Sequence, residues 1–483
     1  MKTLKYLIYT MVLMVALSSC LDDEGNYDYI DLPEMDLSQI PDEAQGIIGE
    51  RLVIPGDIST NLTDADMSYV WAIKLEDENR DFYMDTISTS RDLDVLINFQ
   101  PGKQDLFFTV VDNKNGVKSD KMIDLSIDTP FSTGWALLKE KNGKAELDFI
   151  SQITNTYYTD VFTNISEVSF DGKPLNIGFY WSTYTPFSSM FILTENGGGF
   201  FDAFSMKLNA SVQERFHGLD QVELPFTNSI IANLARSVPT FIAGGKIYGK
   251  GGYVIDDEAW WETPAAGDYY ATGVAAEARY DNIIFFDSKN RRYITYGKRG
   301  WSPDVYSIAE VTASAGAPFD PENLQKDCIW IGNDAFRSLS SGNRNYAVLK
   351  DDAGAFFIQK FALGYSGFTA ELELAVEDGK LDDNSVYTCN PALPFVYLSK
   401  GNSLHRFNTI TEAFEYDHLT VEGDIKDMAV SRDGSILGIV LDEGNGSKVI
   451  FYDVNNGNTI TETYTTDSKV KKLKFKEDYN PYA

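Results

Sequence analysis

The chain reads as all-β, a two-sheet sandwich followed by a β-propeller, and three observations point there. Period-two alternation of apolar and polar residues recurs from end to end, and long helix-period stretches are almost absent. After residue 131, a unit of strand, tight turn and strand returns seven times. The chain has 483 residues, 43% hydrophobic and 13% aromatic, enough for a large core divided over two or three domains.

Residues 1–19 read as an export signal. Lys2 and Lys5 precede a short apolar run from Leu7 to Leu17, too short for a spanning helix, which needs ~20 residues. Leu17-Ser18-Ser19 then places small residues ahead of Cys20, the pattern a lipoprotein signal peptidase cuts. Cleavage there leaves Cys20 as the lipid attachment point and makes the mature protein anchored, not spanning. Residues 20–28 form an acidic stem. Asp22, Asp23 and Glu24 in it resemble the signal that carries Bacteroidetes lipoproteins to the outer face of the outer membrane. The expected address is therefore the outer membrane, lipid-anchored and facing outward.

Residues 29–128 form the first unit. Trp71, Ile73 and Leu75 alternate with Ala72, Lys74 and Glu76, and Ile123, Leu125 and Ile127 alternate with Asp124, Ser126 and Asp128, so each strand has one buried face. Between these segments, QDLFFTVVDNKNGVKSDKMIDLSI reads as two strands joined at Asn113 to Gly116. Short alternating strands must cover one another's apolar faces, and an Ig-like sandwich of about 100 residues does so.

Residues 131–483 form the second unit. Its recurring hairpins are GWALLKEKNGKAELDFI, MFILTENGGGFFDAF, FIAGGKIYGKGGYVI, NIIFFDSKNRRYITYG, YAVLKDDAGAFFIQKF, FVYLSKGNSLHRFN and SILGIVLDEGNGSKVIFYDV. Spread over about 340 residues from Trp135 to Phe475, they match the ~40 to 50 residues per blade of propeller repeats. Seven blades are expected, with six or eight as alternatives and a row of separate sandwiches as the competing architecture. One helix is predicted over Ser229 to Arg236, capped by Ser229 or Asn228 and stopped before Pro239.

A Tyr-x-Trp strand followed by F-T-V-V-D-N-K-N-G resembles the PKD-type Ig-like domain, whose last hairpin carries a T-V-x-D-x-x-G pattern. The order of signal, such a domain, and the new unit opening at FSTGWALLKEKNGKAELDFI resembles the Bacteroidetes PKD-like lipoprotein family. That resemblance implies an accessory component of SusC/SusD-type uptake of a glycan or other nutrient. It brings no catalytic residue with it.

Charge and motifs narrow the chemistry. Lys and Arg total 41 against 72 Asp and Glu, a net charge of −31 that becomes −33 once Lys2 and Lys5 leave with the signal. Nucleic acid is excluded as a partner because no segment supplies the basic footprint that phosphates need. The same charge argues against lying on an anionic bilayer, so the lipid must do the anchoring. There is no HExxH, GxSxG or P-loop, and the glycines of ENGGGF and AGGKIYGKGG are spaced for strand turns. His217, His405 and His418 are too scattered for zinc, and no metal site is expected. No cofactor is expected; calcium at Asp351-Asp352 or Asp382-Asp383 is the exception weighed, against solvated turns. Cys328 and Cys389 either pair or stay as two buried thiols.

Aromatic residues give the binding candidates. Residues 256 to 270, DDEAWWETPAAGDYY, put Trp260, Trp261, Tyr269 and Tyr270 in a stretch without strand alternation, hence a loop between blade strands. Such faces suit stacking on sugar rings or packing on a protein, with Asp256, Asp257 and Glu258 as hydroxyl acceptors. The alternative for each ring is a plug between blades. Trp301, near Arg299, is a second candidate, and Trp181, Tyr184 and Phe187 are a third. The sequence therefore favours a non-enzymatic binding or assembly module. A surface glycan hydrolase or lyase on a propeller scaffold and a purely structural partner of a transporter are the alternatives.

Overall fold

The computed structural model describes residues 33–476 apart from 77–80, 182–187, 217–221, 232–238, 250–262, 280–281, 299–305, 335–343 and 365–366. The chain divides into two compact units, one ending at Ile127 and one beginning at Asp128.

The first unit contains β1 (Met35–Asp36), β2 (Glu43–Ile47), β3 (Arg51–Ile54), β4 (Ser59–Thr60), β5 (Met67–Glu76), β6 (Phe82–Ser88), β7 (Leu93–Leu96), β8 (Gly102–Asp112) and β9 (Lys118–Asp128). A five-stranded sheet in the order β2-β9-β8-β5-β6 is accompanied by the pairs β3-β7 and β1-β4. The alternation read from the sequence decides which face is covered. Trp71 and Ile73, Leu106, Phe108 and Val110, and Ile123, Leu125 and Ile127 all enter one core with Leu52, Ile54 and Leu93 of β3 and β7. Trp71 is fully buried, 4.2 Å from the Phe108 ring, and its indole N–H donates to the carbonyls of Ser90 and Arg91 at 3.1 Å each. Asp112 builds the turn that follows β8 by accepting from the amide of Lys114 and the side chain of Asn115, both at 2.9 Å.

The second unit is a seven-bladed propeller. Blade one takes β10 (Gly134–Lys141), β11 (Lys144–Ser151), β12 (Tyr157–Tyr158) and β13 (Phe170–Asp171), and blade two β14 (Pro174–Trp181), β15 (Ser188–Thr194), β16 (Gly197–Asp202) and β17 (Leu208–Ser211). Blade three has β18 (Phe226–Ile231), β19 (Pro239–Ala243) and β20 (Lys246–Tyr248), and blade four β21 (Ala271–Arg279), β22 (Asn282–Asp287), β23 (Arg292–Lys298) and β24 (Tyr306–Glu310). Blade five is β25 (Asp327–Asn333), β26 (Arg344–Lys350), β27 (Phe356–Gly364) and β28 (Gly367–Ala375), and blade six β29 (Tyr387–Cys389), β30 (Phe395–Lys400), β31 (Ser403–Asn408) and β32 (Ala413–Thr420). Blade seven is β33 (Ile425–Val430), β34 (Ile436–Glu443), β35 (Gly446–Asp453) and β36 (Thr459–Thr465), after which β37 (Lys469–Lys476) returns to blade one.

Every hairpin that recurs in the sequence is the middle pair of one blade, except that in blade three the described strands end with the hairpin β19-β20 itself. The ring closes because β37 pairs antiparallel with β10, with Trp135 opposite Phe475 and Gly134 opposite Lys476, so blade one is built from both ends of the unit. The innermost strands touch in sequence around the whole circle, β37, β14, β18, β21, β25, β29, β33 and β37 again. Polar side chains stitch this inner ring. Just after a bulge in its own strand, Asn176 of β14 donates to the Ser229 carbonyl at 2.7 Å, and Asn228 of β18 donates to the Gly273 carbonyl at 2.6 Å. Asp427, just after a bulge in β33, accepts from the Leu473 amide of β37 at 2.7 Å.

The predicted helix over Ser229 to Arg236 is corrected in part. Ser229 to Ile231 belong to β18, paired with β19, and residues 232–238 lie outside the described residues. Pro239, read as a helix stop, is instead the first residue of β19, a position where the missing N–H is tolerated. Antiparallel pairing with β19, with Ser229 buried, outweighed local helix patterning.

Candidate functional site

Of the aromatic candidates, the structure describes Tyr269 and Tyr270, which lie in the connection between blades three and four just before β21. They have opposite fates. Tyr269 is 3% exposed; its hydroxyl accepts from the Ile247 amide at 3.1 Å and donates to the Ala265 carbonyl at 2.7 Å. Burial pushes its pKa up to about 12, and the Lys246 ammonium stands 4.9 Å over its ring. It is an inter-blade anchor, which corrects the expectation of an exposed ring at that position.

Tyr270 is 51% exposed and is held from two sides. Its amide donates to Asp287 at 2.9 Å, and its carbonyl accepts from the Ser288 amide at 2.9 Å. Its ring packs on Gly245 in the Gly244-Gly245 turn of blade three, so closely that a Cβ on Gly245 would come within 2.3 Å of it. Gly245 also has φ +72°, so the turn needs glycine for both reasons.

Asp287 is the hub of this junction. It is fully buried at the end of β22 and accepts from the amides of Tyr270 and Lys289, from Asn290 at 2.8 Å and from Arg292 at 2.9 Å. Burial opposes its charge, but the hydrogen bonds from Asn290, Tyr270 and Arg292 outweigh that and hold the carboxyl below the usual range. Arg292 continues to Glu310 at 2.6 Å, and Lys289 pairs with Asp268. The result is a stiff, charged frame around one half-exposed aromatic ring. Sequence reading placed Gly245 in a strand turn, as found, and missed Asp287; the signal present was the Asp-x-x-Asn turn after the apolar run of β22, which also reads as an ordinary hairpin.

Trp260, Trp261 and Trp301 lie outside the described residues, as do Tyr184, Phe187, Asp256, Asp257, Glu258, Arg299 and His217. So do Cys20, Asp22, Asp23 and Glu24. Trp181 ends β14.

The acidic pairs weighed for calcium have structural work. Asp351 accepts from the amides of Ala353 and Ala355 in its turn, Asp352 pairs with Arg291 at 2.8 Å, Asp382 accepts from the Asn384 amide, and Asp383 pairs with Lys350 at 2.6 Å. No group of three metal-ligating side chains occurs among the described residues. Cys328 and Cys389 are free thiols on β25 and β29. Burial pushes Cys328 up to about 12 and Cys389 well above its ordinary value, so neither is a ready nucleophile. His405 is buried, with Nδ1 accepting from the Asp417 amide at 2.9 Å and Nε2 facing the Lys380 carbonyl at 3.0 Å, a satisfied neutral imidazole.

Residues 20–174 match the model of the PKD-like family, a range that contains the sandwich and continues through β13 of blade one. No curated protein matches the chain. Among solved structures, the chain is similar to a quinonprotein alcohol dehydrogenase-like protein from Bacteroides thetaiotaomicron, at 14% identity over 93% of this chain and 100% of that one, with a TM-score of 0.46. It is also similar to the Swd1 β-propeller domain from Myceliophteria thermophila, at 8% identity over 61% and 86%, TM-score 0.40. Dihydro-heme d1 dehydrogenase NirN matches at 8% over 71% and 74%, TM-score 0.39. At these identities none of the three carries an activity to this chain.

Proposed function

We propose that this protein is a surface lipoprotein of the outer membrane, anchored through Cys20 and directed outward by Asp22, Asp23 and Glu24. In this reading it acts as a non-enzymatic binding or assembly module beside a SusC/SusD-type glycan or nutrient uptake system. The observation that carries the binding half is Tyr270, a half-exposed ring pinned between the Asp287 hub and the Gly244-Gly245 turn. A ring that is already immobilised loses little side-chain entropy when a sugar or a partner residue stacks on it. In sequence it closes the run that begins with Trp260 and Trp261, and Tyr270 is taken as the candidate platform.

The test is a glycan and peptide binding screen with the mature chain, run alongside a product assay. A ligand should bind without turnover, and Tyr270→Ala should weaken it by about 2 kcal/mol, roughly thirtyfold, with little change in melting temperature. Unchanged affinity in that variant removes the platform, and product formation replaces the binding reading with a glycan-processing enzyme. Separately, Cys20→Ala should move the protein out of the membrane fraction, and continued recovery there defeats the anchor.

A further inference from the structure

The strand that closes the ring, β37, reads Lys469-Val470-Lys471-Lys472-Leu473-Lys474-Phe475-Lys476. Five lysines on eight residues stand out in a chain of net charge −31. Four of them have partners. Lys469 pairs with Asp442 at 2.9 Å, Lys471 with Glu140 at 3.0 Å and Lys472 with Asp427 at 3.7 Å, while buried Lys476 donates to the Ser132 carbonyl at 2.9 Å. Lys474 has no ion pair or hydrogen bond among the described residues, although acidic side chains outnumber basic ones 72 to 41 in the sequence.

Register shows where it points. Residues directly opposite in a sheet project from the same face, and Lys472 and Lys474 stand opposite Leu138 and Ala136. Those two pack with Ile177 and Met190 of blade two, so both lysines leave β37 on its blade-two side. Lys476, two residues further on the same face, agrees, since its ammonium sits over the Phe204 ring of blade two. Yet the Lys472 ammonium ends beside Asp427 of β33, on the blade-seven side. To get there its chain must pass around the one unpaired edge of β37, the edge that faces the propeller axis.

Lys474 shares the Lys472 face of β37 and is exposed to solvent. Enclosure by the surrounding strands still pushes its pKa below the ordinary lysine value; Lys472 adds to that, and Asp427 only partly offsets it. Because β37 is the innermost strand of blade one, its exposed side chains lie beside the axis that the inner strands of the ring enclose.

We propose that Lys474, with Lys472 beside it, forms an oxyanion-binding site in the axial channel of the propeller, taking a carboxylate, sulfate or phosphate group of a ligand. An oxyanion there would relieve the repulsion between the two ammonium groups and supply the counter-charge that Lys474 lacks. The site is separate from Tyr270 and stands whether or not that ring binds a sugar.

Calorimetric titration of the mature chain tests it with four probes: inorganic sulfate, inorganic phosphate, a sulfated oligosaccharide and an oligogalacturonate, with a neutral oligosaccharide as control. Anionic probes should bind and the neutral one should not. Lys474→Met should lower anion affinity at least tenfold, Lys474→Arg should retain it, and the surface variant Lys448→Met should leave it unchanged. Binding of sulfate and phosphate as tightly as the oligosaccharides identifies a free-anion site; a clear preference for one oligosaccharide identifies an acidic glycan as the source. A measurement on the unmutated chain guards against misfolding of a variant: an amine-acylating reagent should modify Lys474 early, and sulfate should protect it. Failure of every anionic probe to bind, equal affinity in Lys474→Met, or acylation unaffected by anions would overturn the proposal.

Discussion

In the sandwich, the five-stranded sheet ends at β6, an edge strand on which Phe82, Tyr83 and Met84 are 66%, 49% and 49% exposed. In the propeller, the first and last strands of the unit are joined, β10 to β37, and the inner strands meet around a full circle. The strands themselves differ accordingly. Along β8, Leu106, Phe108 and Val110 are buried while Phe107, Thr109 and Val111 are not, the alternation of a sheet with one covered face. In blades four and five, Ile283 to Asp287 and Asn345 to Leu349 are buried without a break, because each blade is covered on both faces by its neighbours. An open sheet therefore keeps a reactive edge and a solvated face, whereas a closed ring of stacked sheets keeps neither for its middle strands.

Closure brings its own requirement. Lys139 and Asp148, side chains 3% and 1% exposed, form an ion pair at 2.8 Å on the face of blade one that packs against blade seven. Asp467, in the segment leading into β37, joins at 3.1 Å, and the Tyr157 hydroxyl donates to Asp148 at 2.5 Å. Lys141 and Lys139 together hold the Asp467 carboxyl far below the usual range. This cluster ties the incoming C-terminal strand to the blade that the start of the unit provides.

Three changes would separate the two architectures, beginning with the largest expected effect. Lys139→Met leaves Asp148 buried without its counter-charge and should destabilise the propeller transition by about 3–5 kcal/mol. The sandwich transition in the same calorimetric scan should not move, and a shift of both together would show that the units do not melt separately. Trp71→Ala should cost the sandwich about 3–4 kcal/mol, from the lost ring and its cavity. Here hydrogen exchange should rise in β5 and β8 and stay constant in the blades; uniform exchange would contradict a self-contained core. The smallest effect is expected for Met84→Lys on β6, within about 0.5 kcal/mol of stability. Its readout is colloidal: a charged residue on the open edge should reduce self-association in light scattering, and an unchanged second virial coefficient would remove β6 as the adhesive edge.

Much of the fold was legible because its signals are local. The alternation around Trp71 and Ile123 specified a one-sided sheet, and the seven runs such as NIIFFDSKNRRYITYG specified seven hairpins, since strand period and turn chemistry act over a few residues. The same locality misread Ser229 to Ile231, where a helix-like apolar spacing was overridden by antiparallel pairing with β19. The candidate site was less legible. Tyr269 and Tyr270 are adjacent and chemically identical, and only the Ile247, Ala265 and Gly245 backbones, brought from elsewhere in the chain, make one an anchor and the other a presented ring.

By itself the sequence determined an acidic all-β chain with a sandwich and seven hairpin repeats, because composition, periodicity and turn residues are written residue by residue. Only the tertiary structure decided that β37 completes blade one and that Asn176, Asn228 and Asp427 stitch the inner ring. Those outcomes depend on pairing Trp135 with Phe475 across nearly the whole propeller sequence. No local pattern encodes such a contact; it forms only when every blade between the two is in place, and it settles which side chains meet protein and which meet water.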